Sequence, residues 1–268
     1  LAGTLGYGVY AYNRGQSAWE ALQEFSEFGT FWPMWAGRPL YQYSTLLIDP
    51  VNPHTMYFGT FPAGVYKTTD GGDHWSEKNV GWTNDGVFCL VFHPDNADVV
   101  YAGTYNGVNR SLDGGDHWEL WDDGWPQEQW VFHIAFDPVD PSIMYACSKN
   151  GENEGDGRPG FHGTVMKSID GGARWLPITD GLDLNQEFLR ILVDPADRYT
   201  LYLATAYQGV WISQDAGESW REWNEGLEAR EAGTNGNNVA NVLTFSADGN
   251  TLYFGTLGAG VWKRKIER

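Results

Sequence analysis

The sequence predicts an all-β chain, a six-bladed β-propeller of four-stranded antiparallel blades, or seven-bladed if the chain is truncated. Three observations predict it. A tyrosine-centred strand recurs as TMYFGT, VVYAGT, IMYACS, TLYLAT and TLYFGT, at Tyr57, Tyr101, Tyr145, Tyr202 and Tyr253. A turn of the form S/T-x-D-x-G-x-x-W recurs four times between them. No convincing amphipathic helix interrupts the series, and segment 18–28 is the single weak candidate. Spacings of 44, 44, 57 and 51 residues between the tyrosines fit a unit of 44 with two insertions. Repeats of that length with several short strands each are the signature of a propeller.

Each unit reads in the same order. The first strand is an apolar run ending in a turn: STLLIDP, FCLVFHP, FHIAFDP, LRILVDP and NVLTFSA. Asp-Pro and His-Pro there are turn chemistry and not helix caps. The tyrosine strand comes second. A Gly-Val strand follows (GVYKT, GVNRS, GTVMKS, GVWIS, GVWKR), and a short fourth strand starts after Trp75, Trp118, Trp175 and Trp220. The blades are expected at about 1–25, 44–80, 87–122, 131–179, 188–224 and 239–268, all in one domain. At the N-terminus LAGT, GYGVYAYN and SAWEAL match second, third and fourth strands. At the C-terminus NVLTFS, TLYFGT and GVWKRKI match first, second and third. Four complete units are thus flanked by two incomplete ones. Either a short N-terminal segment is missing or another segment fills the gap.

The recurrent turns are Thr68–Trp75, Ser111–Trp118, Ser168–Trp175 and Ser213–Trp220. In each, the Ser or Thr and the Asp (Asp70, Asp113, Asp170, Asp215) can close the turn by hydrogen bonds to its own backbone. Glycine in the fifth place supplies a positive φ, and the Trp returns as an apolar plug between sheets. This motif resembles the Asp-box, or BNR repeat, of the sialidase-like propeller proteins. The flanking pattern, Asp-Pro, tyrosine strand, Gly-Val, box and Asn/Asp-Gly-Leu, is also similar to the photosystem II assembly-factor-like proteins. The resemblance implies that the boxes are structural and face away from any active site. It further implies that ligands bind on the opposite face, made by the turns between second and third strands and by the connectors between blades.

Both insertions and one long connector fall on that face. The connector 25–43 carries Trp32, Trp35, Arg38, Tyr41 and Tyr43. The loop 148–163 carries Arg158 and His162, and 225–238 is polar. Shorter connectors bring Trp82, Asn84, Asp85, Trp125, Gln127, Gln129 and Trp130, of which Trp82 and Trp125 align with Leu182 and Leu227 and read mainly as core. Exposed aromatics beside amides suit stacking on a sugar ring or a protein hot spot. Long loops in a compact domain are commonly functional. Five residues before each turn lie Thr45, Cys89, His133, Arg190 and Asn241, expected to ring the mouth of a central channel. They would there either bind an anion or a sugar hydroxyl, or line a water-filled channel.

Composition removes several classes. Lys plus Arg number 17 against 35 Asp plus Glu, a net charge of −18, which repels phosphate backbones and disfavours nucleic acid. No run approaches the ~18 apolar residues of a membrane helix. Two cysteines, Cys89 and Cys147, are too few for a stapled scaffold and are expected as free, buried thiols. The six histidines are scattered, so no metal site or cofactor is expected.

A sialidase-like site needs three arginines, a Tyr–Glu pair and an Asp, and a Phe/Tyr-Arg-Ile-Pro motif near the start. Arg38 lies in Gly-Arg-Pro-Leu, a departure from that motif. Xyloglucanase-like members use two propellers with a cleft between them, which one six-bladed chain does not supply. Paired carboxylates would come from Asp85, Asp123, Glu128, Asp183 or Glu187, and spacing selects no pair. The leading expectation is a non-catalytic propeller that binds a protein or glycan through its long-loop face. The alternative is a glycoside hydrolase using carboxylates on that face. Family analogy places the chain outside the cytoplasm, extracellular or periplasmic.

Overall fold

A computed structural model of the chain describes residues 2–4, 8–13, 17–23, 45–60, 64–82, 86–126, 129–150, 163–206, 208–225, 240–256 and 260–266. It divides into two compact units, residues 1–104 with 109–120, and residues 105–108 with 121–268. All regular structure among the described residues is antiparallel strand, in six sheets that follow chain order.

The first unit holds three sheets. β1 (Ala2–Thr4), β2 (Gly8–Asn13) and β3 (Ala18–Gln23) form a three-stranded one. Segment 18–23 is therefore strand and not helix: Tyr12 pairs Trp19 and Ala11 pairs Glu20 across β2 and β3. β4 (Thr45–Ile48), β5 (Met56–Thr60), β6 (Gly64–Thr68) and β7 (Ser76–Glu77) form the second. The third consists of β8 (Val87–His93), β9 (Asn96–Thr104), β10 (Gly107–Ser111) and β11 (Glu119–Leu120).

The second unit repeats the plan. Its sheets are β12 (Gln129–Phe136), β13 (Met144–Asn150), β14 (Val165–Ser168) and β15 (Leu176–Pro177), then β16 (Phe188–Val193), β17 (Leu201–Thr205), β18 (Gly209–Ser213) and β19 (Arg221–Glu222). The last has three strands, β20 (Ala240–Phe245), β21 (Thr251–Thr256) and β22 (Gly260–Lys265). First strands of successive sheets lie side by side within a unit, β4 by β8, β12 by β16 and β16 by β20.

The middle strands are the most deeply buried, and β17 and β18 are buried along their whole length. A strand covered on both faces reads as a continuous apolar run, which is what MYFGT, VYAGT and LYLAT are. The recurrent turn closes as its residues demand. In the third sheet Ser111 Oγ donates to Asp113 Oδ1 at 2.9 Å and accepts from Gly115 N at 2.8 Å. Asp113 Oδ1 also accepts from His117 N at 2.8 Å. The same bonds recur at Thr68/Asp70, Ser168/Asp170 and Ser213/Asp215. At Asp215, bonds from Ser219 and Ser213 pull the carboxyl down to about 2. At Asp113 burial pushes the carboxyl up but is outweighed by bonds from His117 and Ser111, leaving it at about 2.

Three of the four turns deliver their tryptophan onto the segment just past the previous turn's short fourth strand. Trp118 Nε1 donates to the Lys78 carbonyl at 2.9 Å, Trp175 Nε1 to Trp121 at 3.2 Å, and Trp220 Nε1 to Ile178 at 2.8 Å. Trp118, Trp175 and Trp220 are buried; Trp75 is half-buried. Trp82 meets Trp118 edge-on with centroids 5.1 Å apart, and Trp125 tilts on Trp175 at 5.6 Å, so both are core. Cys89 and Cys147 are buried thiols, not joined in a disulfide.

Candidate functional site

A β-bulge marks the start of the first strand in four sheets. The register shifts between Val87 and Cys89, Val131 and His133, Phe188 and Arg190, and Ala240 and Val242. One residue is left unpaired at each, which bends the strand and re-aims its side chains. Cys89, His133 and Arg190 are the residues just past the bulge, opposite Gly103, Cys147 and Ala204. Thr45 pairs Gly59, the equivalent position. The last sheet departs from the expectation: Val242 pairs Gly255 and takes that position, while Asn241 is the bulged residue itself. The cause is the hairpin turn, one residue shorter between Phe245 and Leu252 than between Val193 and Leu201.

His133 and Arg190 are brought together in the second unit. Burial, then the adjacent Arg190 guanidinium, push the His133 imidazole down to about 3, and a hydrogen bond with the Ile191 backbone only partly offsets this. His133 is thus neutral at physiological pH. It keeps a little accessible surface although it is densely surrounded. Its Nδ1 has no partner among the described residues.

In the same unit β12, β13 and the connector before β16 carry a set of polar contacts, the polar belt. Ser148 Oγ donates to Gln129 Oε1 at 2.7 Å, and Thr164 N donates to Ser148 Oγ at 3.3 Å. Lys149 Nζ bonds Glu187 Oε1 at 3.1 Å. The same ammonium lies 4.8 Å from the Trp130 ring centre, a cation–π contact. Tyr105 tilts on Trp130 with centroids 4.9 Å apart. Gln186 Nε2 donates to the Asp183 carbonyl at 3.0 Å and to Gln208 Oε1 at 2.9 Å, and Gln208 Nε2 donates to Asp183 Oδ2 at 2.8 Å. Gln186 is buried, and its Oε1 has no partner among the described residues. Bonds from the Asn185 backbone, then from Gln208, hold the Asp183 carboxyl below its ordinary value.

The arrangement is chemically specific. Amides, a hydroxyl and a fixed ion pair offer directional donors and acceptors, and Tyr105 and Trp130 offer ring faces. That set suits a polyhydroxylated ligand, which needs polar bonds at its edges and stacking on its faces. Its two described carboxylates are engaged within it, Asp183 by Gln208 at 2.8 Å and Glu187 by Lys149 at 3.1 Å.

Of the site residues expected from sequence, His133 and Arg190 lie near one another, and Trp130 lies against Tyr105 and Lys149. Trp32, Trp35, Arg38, Tyr41 and Arg158 lie outside the described residues, as do Asp85 and Glu128. The backbone of Asn241 belongs to β20. Asp123 is bridged through its backbone to Arg174 beside the next sheet's recurrent turn. Gln129 and Trp130 belong to β12 and not to a connector. Sequence reasoning missed Tyr105, Ser148, Lys149, Gln186 and Gln208. Tyr105 and Gln208 follow the tyrosine strands directly, in turns of the ligand-facing kind, so position alone could have singled them out.

No protein-family profile matches the chain. Among curated proteins it resembles a xyloglucanase from a Paenibacillus species, 30% identical over 157 residues, covering 53% of this chain and 15% of that enzyme. Among solved structures it resembles an ancestral GH74 enzyme, with a TM-score of 0.65, 22% identity, 79% of this chain and 27% of that one. A second is the GH74 xyloglucanase from Xanthomonas campestris, with a TM-score of 0.61, 18% identity, 81% of this chain and 36% of that one. At these identities the structures show the fold, a β-propeller. The chain spans well under half the length of the proteins it matches.

Proposed function

We propose that this chain is a propeller of a glycoside hydrolase acting on a xyloglucan-type β-glucan, and that the Gln129–Trp130–Lys149–Gln186 belt holds the glucan. The observation that carries the reading is the run of 157 residues shared at 30% identity with a xyloglucanase. The belt's amides and aromatics supply fitting chemistry. The finer parts belong to the same proposal: six blades, recurrent turns of the Asp-box kind, an extracellular or periplasmic setting, and Trp32, Trp35, Arg38, Tyr41, Arg158 and Asn241 extending the binding face.

A non-catalytic glycan-binding propeller is the second reading. One observation favours it: the two described carboxylates of the belt are tied up in fixed contacts, Glu187 with Lys149 at 3.1 Å and Asp183 with Gln208 at 2.8 Å.

Two measurements separate the readings. Retardation of the chain in xyloglucan-containing native gels should be strong and should weaken about tenfold in Trp130→Ala, at unchanged melting temperature. Release of reducing ends from xyloglucan marks the hydrolase; retardation without release marks the binding module. A chain retarded by no β-glucan, with oligosaccharides silent in calorimetry, would defeat both.

A further inference from the structure

The indole of Trp130 is already engaged within the belt. The Lys149 ammonium lies over it, 4.8 Å from the ring centre, and is fixed there by Glu187 at 3.1 Å. Lys149 also lies over the Phe132 ring, 5.8 Å from its centre. Tyr105 approaches Trp130 with centroids 4.9 Å apart and ring planes 39° from parallel. Two rings lying side by side in one plane need roughly 6 Å or more between centres, twice a ring radius plus a van der Waals contact. The phenol therefore overlaps the indole. No cation–π contact joins Lys149 to Tyr105 among the described residues, so ammonium and phenol come to Trp130 from different sides.

Tyr105 is engaged on one side only. Trp130 is its single ring partner among the described residues, its hydroxyl makes no hydrogen bond there, and its side chain is half-buried. The turn that carries it is fixed. Gly107 has a φ of 119° and packs so closely on Asp122 that a Cβ would come within 2.9 Å of the Asp122 Cβ. One residue further on, the Val108 carbonyl accepts from Trp121 N at 2.7 Å. The phenol is thus propped by an indole and carried on an anchored turn. A contact ordered in advance spares a ligand the entropy of ordering it.

We infer that Tyr105 is the stacking platform of the belt, the residue that takes the C–H face of a pyranose ring, and that Trp130 and Lys149 act through it as positioning residues. The inference rests on the reading of the belt as a glucan site. Every ring substituent of a β-linked glucose unit is equatorial, so both faces of the sugar carry only C–H groups, which match an aromatic face. The phenol hydroxyl adds a donor at the rim of the platform, where the equatorial hydroxyls emerge.

Stacking on Trp130 itself would first displace one of its two neighbours. Moving Lys149 breaks a pair whose side chains are only 17% and 13% exposed, and leaves Glu187 without its cation. Separating charges so nearly buried is costly. Moving Tyr105 bares an indole face only by giving up the phenol face that was already on offer. A sugar on Tyr105 displaces neither neighbour, and the Lys149–Glu187 pair stays intact beneath it as the brace of the indole.

The test uses the whole chain and xyloglucan in native gels. Tyr105→Leu keeps an apolar side chain but removes the flat face, and should weaken retardation about tenfold at unchanged melting temperature. Tyr105→Phe should stay within about threefold of the wild type. The double variant Tyr105→Leu with Trp130→Ala should bind no more weakly than Tyr105→Leu alone, because a residue that acts through Tyr105 loses its effect once the phenol is gone. Additive losses would make Trp130 a stacking residue in its own right and overturn the assignment. Should Tyr105→Leu not fold, magnetisation transfer in the unaltered chain decides. Saturating the Tyr105 ring protons should reach the C–H protons of a bound xyloglucan oligosaccharide, and transfer from Trp130 without transfer from Tyr105 overturns the proposal. Full retardation of Tyr105→Leu at the wild-type melting temperature overturns it too, while leaving the glucan reading intact. A wild-type chain retarded by no β-glucan defeats that reading and this inference with it.

Discussion

Ala216 stands alone at the fourth position of the recurrent turn. Its φ is 58°, the left-handed region, where the other three turns carry Gly71, Gly114 and Gly171 at 81°, 67° and 72°. A Cβ there meets the preceding carbonyl and costs about 1–2 kcal/mol, part of which the unfolded chain recovers through its lower entropy. Ala216→Gly should raise stability by up to about 1 kcal/mol in urea denaturation at unchanged slope. A lowered midpoint would mean that the strain is absorbed elsewhere in the turn. His133 tests a second residue-scale statement. Its imidazole is pushed down to about 3 by burial and Arg190, so its ring resonances should not shift between pH 8 and 4.5. An inflection near pH 6 at His133 would show that water reaches it freely.

The contact between a tryptophan and the preceding sheet's fourth-strand end is the repeating joint of the structure. Each joint uses a glycine because nothing larger fits: a Cβ on Gly81, Gly124 or Gly181 would run into the carbonyl oxygen of Trp118, Trp175 or Trp220, and all three have φ near 80°. Gly124→Ala combines left-handed strain with overpacking and should cost about 3 kcal/mol. Trp175→Ala should cost about 3–5 kcal/mol, from a cavity and an orphaned Trp121 carbonyl. Both shifts are readable as a lowered urea midpoint. A loss below about 1 kcal/mol in either would show that adjacent sheets are joined mainly by other contacts. These joints were legible in sequence because Asp, Gly and Trp at fixed spacing have few alternative uses. The belt around Gln129 and Lys149 was not, since Ser, Gln and Lys mark no strand position by type and come together only when sheets adjoin. The bulges were equally silent. Nothing in NVLTFSA announces that its hairpin turn is one residue shorter, so Asn241 was assigned a place that Val242 holds.

At the scale of the chain, the repeated turns make acid sensitivity a collective property. Asp113 and Asp215 sit at about 2, and hydrogen bonds lower Asp70 and Asp170 as well. A carboxyl lowered by folding stabilises the native state above its unfolded value near 4, and that contribution fades as pH falls toward the folded value. His133 acts in the same direction over a higher window. Its folded value of about 3 lies below the unfolded ~6.5, so the unfolded chain takes the proton first and stability declines from about pH 6.5 downward. The net charge of −18 opposes both at neutral pH, because its self-repulsion weakens as acids are protonated. Urea midpoints should therefore change little from pH 8 to 6.5, fall gently to pH 4, and fall steeply from 4 to 2. The turn carboxyls are partly exposed, so each supplies a fraction of its bonding energy, and the steep limb comes from their number. Asp113→Asn with Asp215→Asn should start less stable at pH 7, by about 1–2 kcal/mol together, and show a shallower slope below pH 4. His133→Gln should flatten only the segment between 6.5 and 4. Parallel curves for the wild type and the double variant below pH 4 would remove the turns as the source of the acid transition.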